Sequence, residues 1–370
     1  MLQTHPAVFA VNDTYQIMVP VKKECLMWVQ VGDKTYYDAT CGILCSLSEM
    51  HSVTVPMAEL DAAGGYTVCI REVYKRGSWC SETATEVLTY PYTFTPVPPT
   101  DARAYCISDA HERVEEPIRA AEAFGAFDFL ILNGDLSNCC DDPAVLLNTY
   151  HISSRLTGGT KPIVFARGNH DLRGSHSEMT ETYTPHSRSG HTYYTFRFGT
   201  LWGLVLDCGE DKRDDHIECG NVFCCRDFRE QETEYIREVI ARAEQEYAAE
   251  GVTTRAVIIH YPISHHLWPD YEFEPDIFRE WCRLLREEVR PHIMICGHMH
   301  ISDVWKPGGP QDSFGQPCPI VLSGVPRDGY HAGCGYEFGD TAIRATHTDS
   351  NGEILQQTAI LPHGMPKKDF

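Results

Sequence analysis

The chain has 370 residues, 42% of them hydrophobic and 22% charged, and its 31 Lys and Arg against 52 Asp and Glu give a formal charge of -21. Such a length and composition describe an ordinary globular protein with a sizeable core, long for one domain and comfortable for two. The acidic balance disfavours long nucleic acid or an anionic membrane as a partner, and no apolar run is long enough to cross a bilayer.

The first twenty residues lack a basic leader, and Asn12, Asp13 and Gln16 interrupt their apolar positions, so they do not read as a secretory signal and a cytoplasmic address is expected. Up to about residue 95 the pattern is of short alternating strands: 7–10, 16–21, 25–31, 35–38, 52–56 and 66–74, separated by turns such as Gly32-Asp33 and Gly64-Gly65. Strands at that spacing predict a small antiparallel sandwich. The run from Tyr90 to Thr100 is dense in proline and predicts a stiff linker, which puts a domain boundary near residue 97.

Beyond it the pattern alternates. Strands are expected over 104–108, 127–132 and 163–166, with helices over 113–124 and 143–156 between them, as in βαβ units. A hairpin over 191–198 and 201–207 follows, then a long charged helix over 226–249, a strand over 256–259, a helix over 277–288, and strands over 292–296, 320–322 and 341–346. The fold class is therefore α/β, a layered sandwich in which ligand-bearing loops leave the carboxyl ends of strands.

Five of those strand ends carry oxygen or imidazole donors. They are Asp109-Ala110-His111, Gly134-Asp135, Gly168-Asn169-His170-Asp171, His260 and Gly297-His298-Met299-His300. Seven of these donors exceed the need of one tetrahedral ion and suit two neighbouring divalent ions that share a carboxylate and keep positions open. The sixteen cysteines are scattered without a framework spacing and read as reduced, buried, small apolar side chains. Cys139-Cys140 and Cys224-Cys225, with Cys219 nearby, leave an extra metal or redox site open.

The ordered set Asp-x-His, Gly-Asp, Gly-Asn-His-Asp, a lone His after a strand, and Gly-His-x-His resembles the calcineurin-like metallophosphoesterase superfamily, in sparse blocks from about residue 103 to 350. That resemblance implies an α/β/β/α metallophosphoesterase sandwich over 98–370. It implies two divalent transition-metal ions, with Mn, Fe, Zn, Co and Ni all open. Asp109, His111 and His300 would hold one, Asn169, His260 and His298 the other, and Asp135 would bridge them. His170 would bind a phosphoryl oxygen or protonate the leaving alkoxide, and Asp171 would orient His170 or a ligand. The expected substrate is a small phosphoester, monoester or diester, and the alternative is a scaffold protein that keeps the fold without the chemistry. Residues 53–60 with 64–68 resemble the corner of fibronectin-III-like domains, and comparable β domains precede the catalytic part of purple acid phosphatases. Those enzymes carry Tyr three residues after the bridging Asp, where this chain has Asn138, so a ferric site is not implied.

Several further residues admit two readings. Arg167 reaches a phosphate or pairs with a surface carboxylate, and Asp207 supports a ligand or caps a turn. His265, His266 and His331 approach substrate or are exposed loop histidines. Asn138, Asp141 and Asp142 line the mouth of the site or start a helix. The leaving group is left to the loops 172–190, 209–225 and 262–275.

Overall fold

A computed structural model describes residues 1–266, 274–339 and 341–362. Two sheets face each other. The strands Ala102–Ile107, Phe129–Asn133 and Pro162–Ala166 lie side by side and parallel in a 13-stranded sheet. Thr254–Ile258 and Ile293–Cys296 are parallel neighbours in a 6-stranded one. Nearly every residue of these five strands is buried, which explains why they read as continuous apolar runs and not as alternating ones.

One core fills the space between the sheets. Phe129 of the first stands 5.0 Å, ring to ring, from Phe198 of the second, and Ile131, Val164, Val205, Ile258 and Ile295 belong to the same cluster. A second core lies behind the 6-stranded sheet, where Trp281, Phe278, Ile236 and Val239 pack from Pro275–Leu284 and Cys225–Ala241. Glu115–Phe124 and Asn148–Thr157 cover the other sheet, so the layers run α/β/β/α.

Element lengths shift where the backbone gives a reason. The expected helix over 143–156 begins as a 3-10 turn, Pro143–Leu147, with Asp142 capping Ala144 N at 3.0 Å, and its α-helical part stops at Gly158 with φ 57°. The helix expected to reach 249 ends at Ala241 and passes into a 3-10 turn, and the one over 277–288 closes in a π-helical turn, Leu285–Val289. Among the described residues no helix is long and apolar enough to cross a membrane. All sixteen cysteines are free.

The first 97 residues depart from the expected division. Ala7–Val11 is hydrogen-bonded in parallel to Pro162–Ala166, with Val8 opposite Pro162 and Phe9 opposite Ile163, and antiparallel to Thr14–Val31. The first strands thus join the large sheet across the boundary expected near residue 97. The reason lies in AVFAV itself: every residue of it is buried, as a central strand requires. The fibronectin-like corner is also replaced. Met57–Ala63 is a short helix ended by Gly64 at φ 63°, and the Tyr66 hydroxyl donates 2.8 Å to Gly159 O, beyond the linker. The linker lies on the α/β layers, with Thr95 N donating to Thr160 O and Thr200 N to Pro99 O.

Candidate metal centre

The five parallel strands end on one rim. Three strand ends of the large sheet bring Asp109, His111, Asp135, Asn169 and His170, and two of the other sheet bring His260, His298 and His300. The loops are tied to one another before any ligand arrives. Asp109 N donates to Gly134 O, His111 N to Asp135 O, Gly297 N to His260 O, and His298 N to both carboxylate oxygens of Asp109 at 3.1 and 3.0 Å. Close approach demands small residues: a Cβ on Gly134, which has φ 76°, would stand 2.6 Å from Gly168 Cα and from His260 Nδ1, and one on Gly297 would overlap Ser108 Oγ.

The donor atoms converge in sets. Asp109, His111 and His300 form one, Asp135, His260 and His298 another, and His111, Asp135 and His170 a third, each with its ligand atoms within 4.8 Å. His111 Nε2 faces His300 Nε2 at 3.1 Å, and His300 Nε2 lies 3.3 Å from Asp109 Oδ1. His298 Nδ1 lies 3.1 Å from Asn169 Oδ1, and Asn169 Nδ2 points at Glu210 Oε1, so the amide turns its oxygen inward. His260 Nδ1 donates to Asn133 O at 2.7 Å, which leaves Nε2 facing Asp135 Oδ2 at 3.1 Å without a well-formed hydrogen bond. The buried His111 Nδ1 also has no partner. Ligand atoms at these separations favour a proton or a metal cation between them, and the mixture of imidazole, amide and carboxylate suits borderline divalent metals. The residues fit the two ions.

Without metal, protons take the strain. Burial works against a charged His260, yet the adjacent Asp135 and Asp109 carboxylates raise its pKa to about 10. Asp135 goes the other way: burial would raise it, but His260 holds it well below the usual carboxylate range. Burial drops His111 to about 4 and His298 to about 3.

His170 sits at the mouth. Its Nδ1 donates to Asn138 O at 2.7 Å, its ring meets His111 edge-on at 4.8 Å, and its Nε2 accepts from Arg173 Nη1 at 3.2 Å. Asp171 does not touch the His170 side chain. It accepts from the backbone of Gly168 at 2.9 Å and Asp135 at 3.1 Å, and burial followed by the Asp135 charge lifts it to about 6. It therefore fixes the backbone of the bridging loop, and of its two expected partners, His170 or a ligand, its hydrogen bond goes to the backbone of Asp135.

Other two-way readings resolve from geometry. Arg167 pairs at 2.8 Å with Asp207, which is buried and not a surface carboxylate, and Asp207 also accepts from Gly209 N, as a turn residue does. His265 is held by Gln311 O and packs on Trp305, while His266 lies against Phe314. The remainder of that loop, 267–273, lies outside the described residues. His331 is fully buried and not an exposed loop residue. Its Nε2 donates 2.9 Å to Ser108 O, one residue from Asp109. Asp141 accepts from Ser175 N. Among the described residues no cysteine joins a metal-sized group.

Sequence reasoning missed Ser108, whose hydroxyl donates 2.6 Å to Asp109 Oδ2, and the group Arg173, Glu210 and Asp211. Arg173 donates to Glu210 at 2.8 Å from Nε and 2.6 Å from Nη2, and to Asp211 at 3.0 Å. The only signal was their place in the loops 172–190 and 209–225.

A model of the calcineurin-like phosphoesterase family matches residues 102–302, more than half of the chain. No curated protein matches the sequence. Among solved structures, a conserved protein of Streptococcus pneumoniae TIGR4, described as a predicted phosphoesterase, is 12% identical, covering 70% of this chain and 98% of that one at a TM-score of 0.29. Vacuolar protein sorting 29 of Cryptosporidium parvum is 11% identical over 71% and 99% of the two chains at 0.34. The zinc complex of Vps29 from Entamoeba histolytica is 10% identical over 70% and 99% at 0.34.

Proposed function

This chain belongs to the calcineurin-like phosphoesterase family, and from that premise we propose that it is a phosphoester hydrolase dependent on two divalent metal ions. The observation that carries the reading is the convergence of seven donor side chains from five strand ends, with candidate ligand atoms facing each other across 3.1 to 3.3 Å. Asp109, His111 and His300 would hold one ion, Asn169, His260 and His298 the other, with Asp135 between them. Bound there, such ions supply Lewis acidity, which lowers the pKa of water and offsets the charge of the phosphoryl oxygens.

The rest is work for the chain's own residues. Ser108, itself fixed by His331, holds Asp109 by its hydroxyl, and Asn133 O keeps the His260 Nε2 lone pair turned inward. His170, locked through Nδ1 onto Asn138 O, has Nε2 as the atom that meets a phosphoryl oxygen or carries a proton to the departing oxygen. Arg173 occupies that atom in the resting protein and would exchange it for substrate.

The experiment compares Mn- or Fe-loaded wild type with Asp135→Asn on an activated aryl phosphomonoester and an activated aryl diester. We expect the variant to lose more than about 100-fold in rate on at least one of them. Equal rates for the two proteins on both esters would sink the hydrolase reading, and fewer than one ion per chain in metal-replete buffer would favour a scaffold instead.

A further inference from the structure

Beside the centre lies a pocket of about 720 Å³. Its wall includes Arg173 and Glu210, and both also reach the centre: Arg173 donates to His170 Nε2 at 3.2 Å, and Glu210 accepts from Asn169 Nδ2 at 3.5 Å. A phosphoryl group held at His170 would have the organic part of its ester directed past Arg173 into this space. The geometry points to this pocket as the leaving-group subsite, shaped for an alcohol that carries an ammonium group. This inference rests on the hydrolase reading above.

The charges of the wall decide the class of alcohol. Arg173 already has Glu210 on two of its nitrogens and Asp211 on one. Lys212 Nζ lies 2.7 Å from Asp211 Oδ1 and 3.3 Å from Glu218 Oε2, and Arg167 is held by Asp207. Each cation of the wall is thus neutralised where it stands. Glu178 and Glu181 line the same pocket, are exposed, and form no ion pair among the described residues. A second phosphate or a carboxylate on the alcohol would meet this unbalanced negative wall, whereas an ammonium would find two carboxylates free to turn toward it. Leu172 and Phe223 supply apolar surface for methylene or methyl groups.

The test uses the Mn-loaded full chain and esters matched in shape: 2-(trimethylammonio)ethyl, 3,3-dimethylbutyl and 2-carboxyethyl phosphate, with their methyl diesters. Affinity by calorimetry and kcat/KM by product release should fall in that order, with about three- to tenfold between the first two. In the double variant Glu178→Gln, Glu181→Gln the ratio of ammonium to neutral ester should approach one. Equal affinities, no binding, a preference for the carboxylate, or an ammonium preference that survives in the double variant would overturn the assignment. Failure of the hydrolase reading looks different, because no ester would then be turned over while calorimetry would still rank their binding.

Discussion

At the residue scale, the centre is held in conformations that L-residues avoid. Asp109, His111, Asp135, His298 and His300 all have positive φ, between 44° and 67°, at a cost of about 1 kcal/mol or more each. The surrounding hydrogen bonds must hold them there, and Asp171 is one such clamp. Replacing Asp171 with Ala strands two buried N–H groups, so we expect a loss of about 2 to 4 kcal/mol in denaturant unfolding and a 10- to 100-fold weaker metal affinity by calorimetry. His331 makes the acid side of stability predictable. Burial lowers its pKa from 6.5 to about 4, so between those values the unfolded chain binds the proton and the folded one does not. Stability must fall as pH drops through that window, by about 2 kcal/mol at pH 5 from this residue alone. Unfolding of metal-free protein at pH 6.5 and 5 should show a smaller loss in His331→Gln, which keeps a donor for Ser108 O. The seven donors that the structure gathers on one rim were legible in the sequence because only a few residue types bind such metals and they follow apolar runs. Arg173, Glu210 and Ser108 were not, because an Arg–Glu pair or a serine in a loop has no period and is common without any role.

At the scale of elements, the parallel strands announced themselves because both their faces are buried, and the carboxyl ends of those strands then marked where chemistry collects. What stayed hidden was how tightly one loop presses on the next. Gly297 abuts Ser108, so Gly297→Ala must displace the hydroxyl that holds Asp109. We expect that variant to fold, since it leaves both sheets intact, yet to bind one of the two proposed ions at least about tenfold more weakly, read as a split in the calorimetric isotherm. Helix ends were less legible than helices. The ends pass into 3-10 or π turns at Pro143–Leu147, Ala243–Gln245 and Leu285–Val289, changes that hydrophobic periodicity does not encode.

At the scale of the whole molecule, the sequence divided what the fold joins. Alternating strands before a proline-rich run resemble a separate domain, and nothing local reveals that AVFAV pairs with a strand beyond residue 160. A fragment starting at residue 98 would uncover the edge of Pro162–Ala166 and lose the packing of Val8, Phe9 and Val11, each worth about 1.5 to 3 kcal/mol. That approaches the full stability of an ordinary domain, so the fragment should be insoluble or lack a cooperative melting transition, whereas the full chain should melt as one unit. The same pairing governs birth. The strand Ala7–Val11 is made well before its neighbour and cannot find it until Pro162 has been made, which at about 5 to 20 residues per second is on the order of ten seconds. During that wait a sticky β-ribbon hangs exposed, and nascent copies of this protein should lean on chaperones for it.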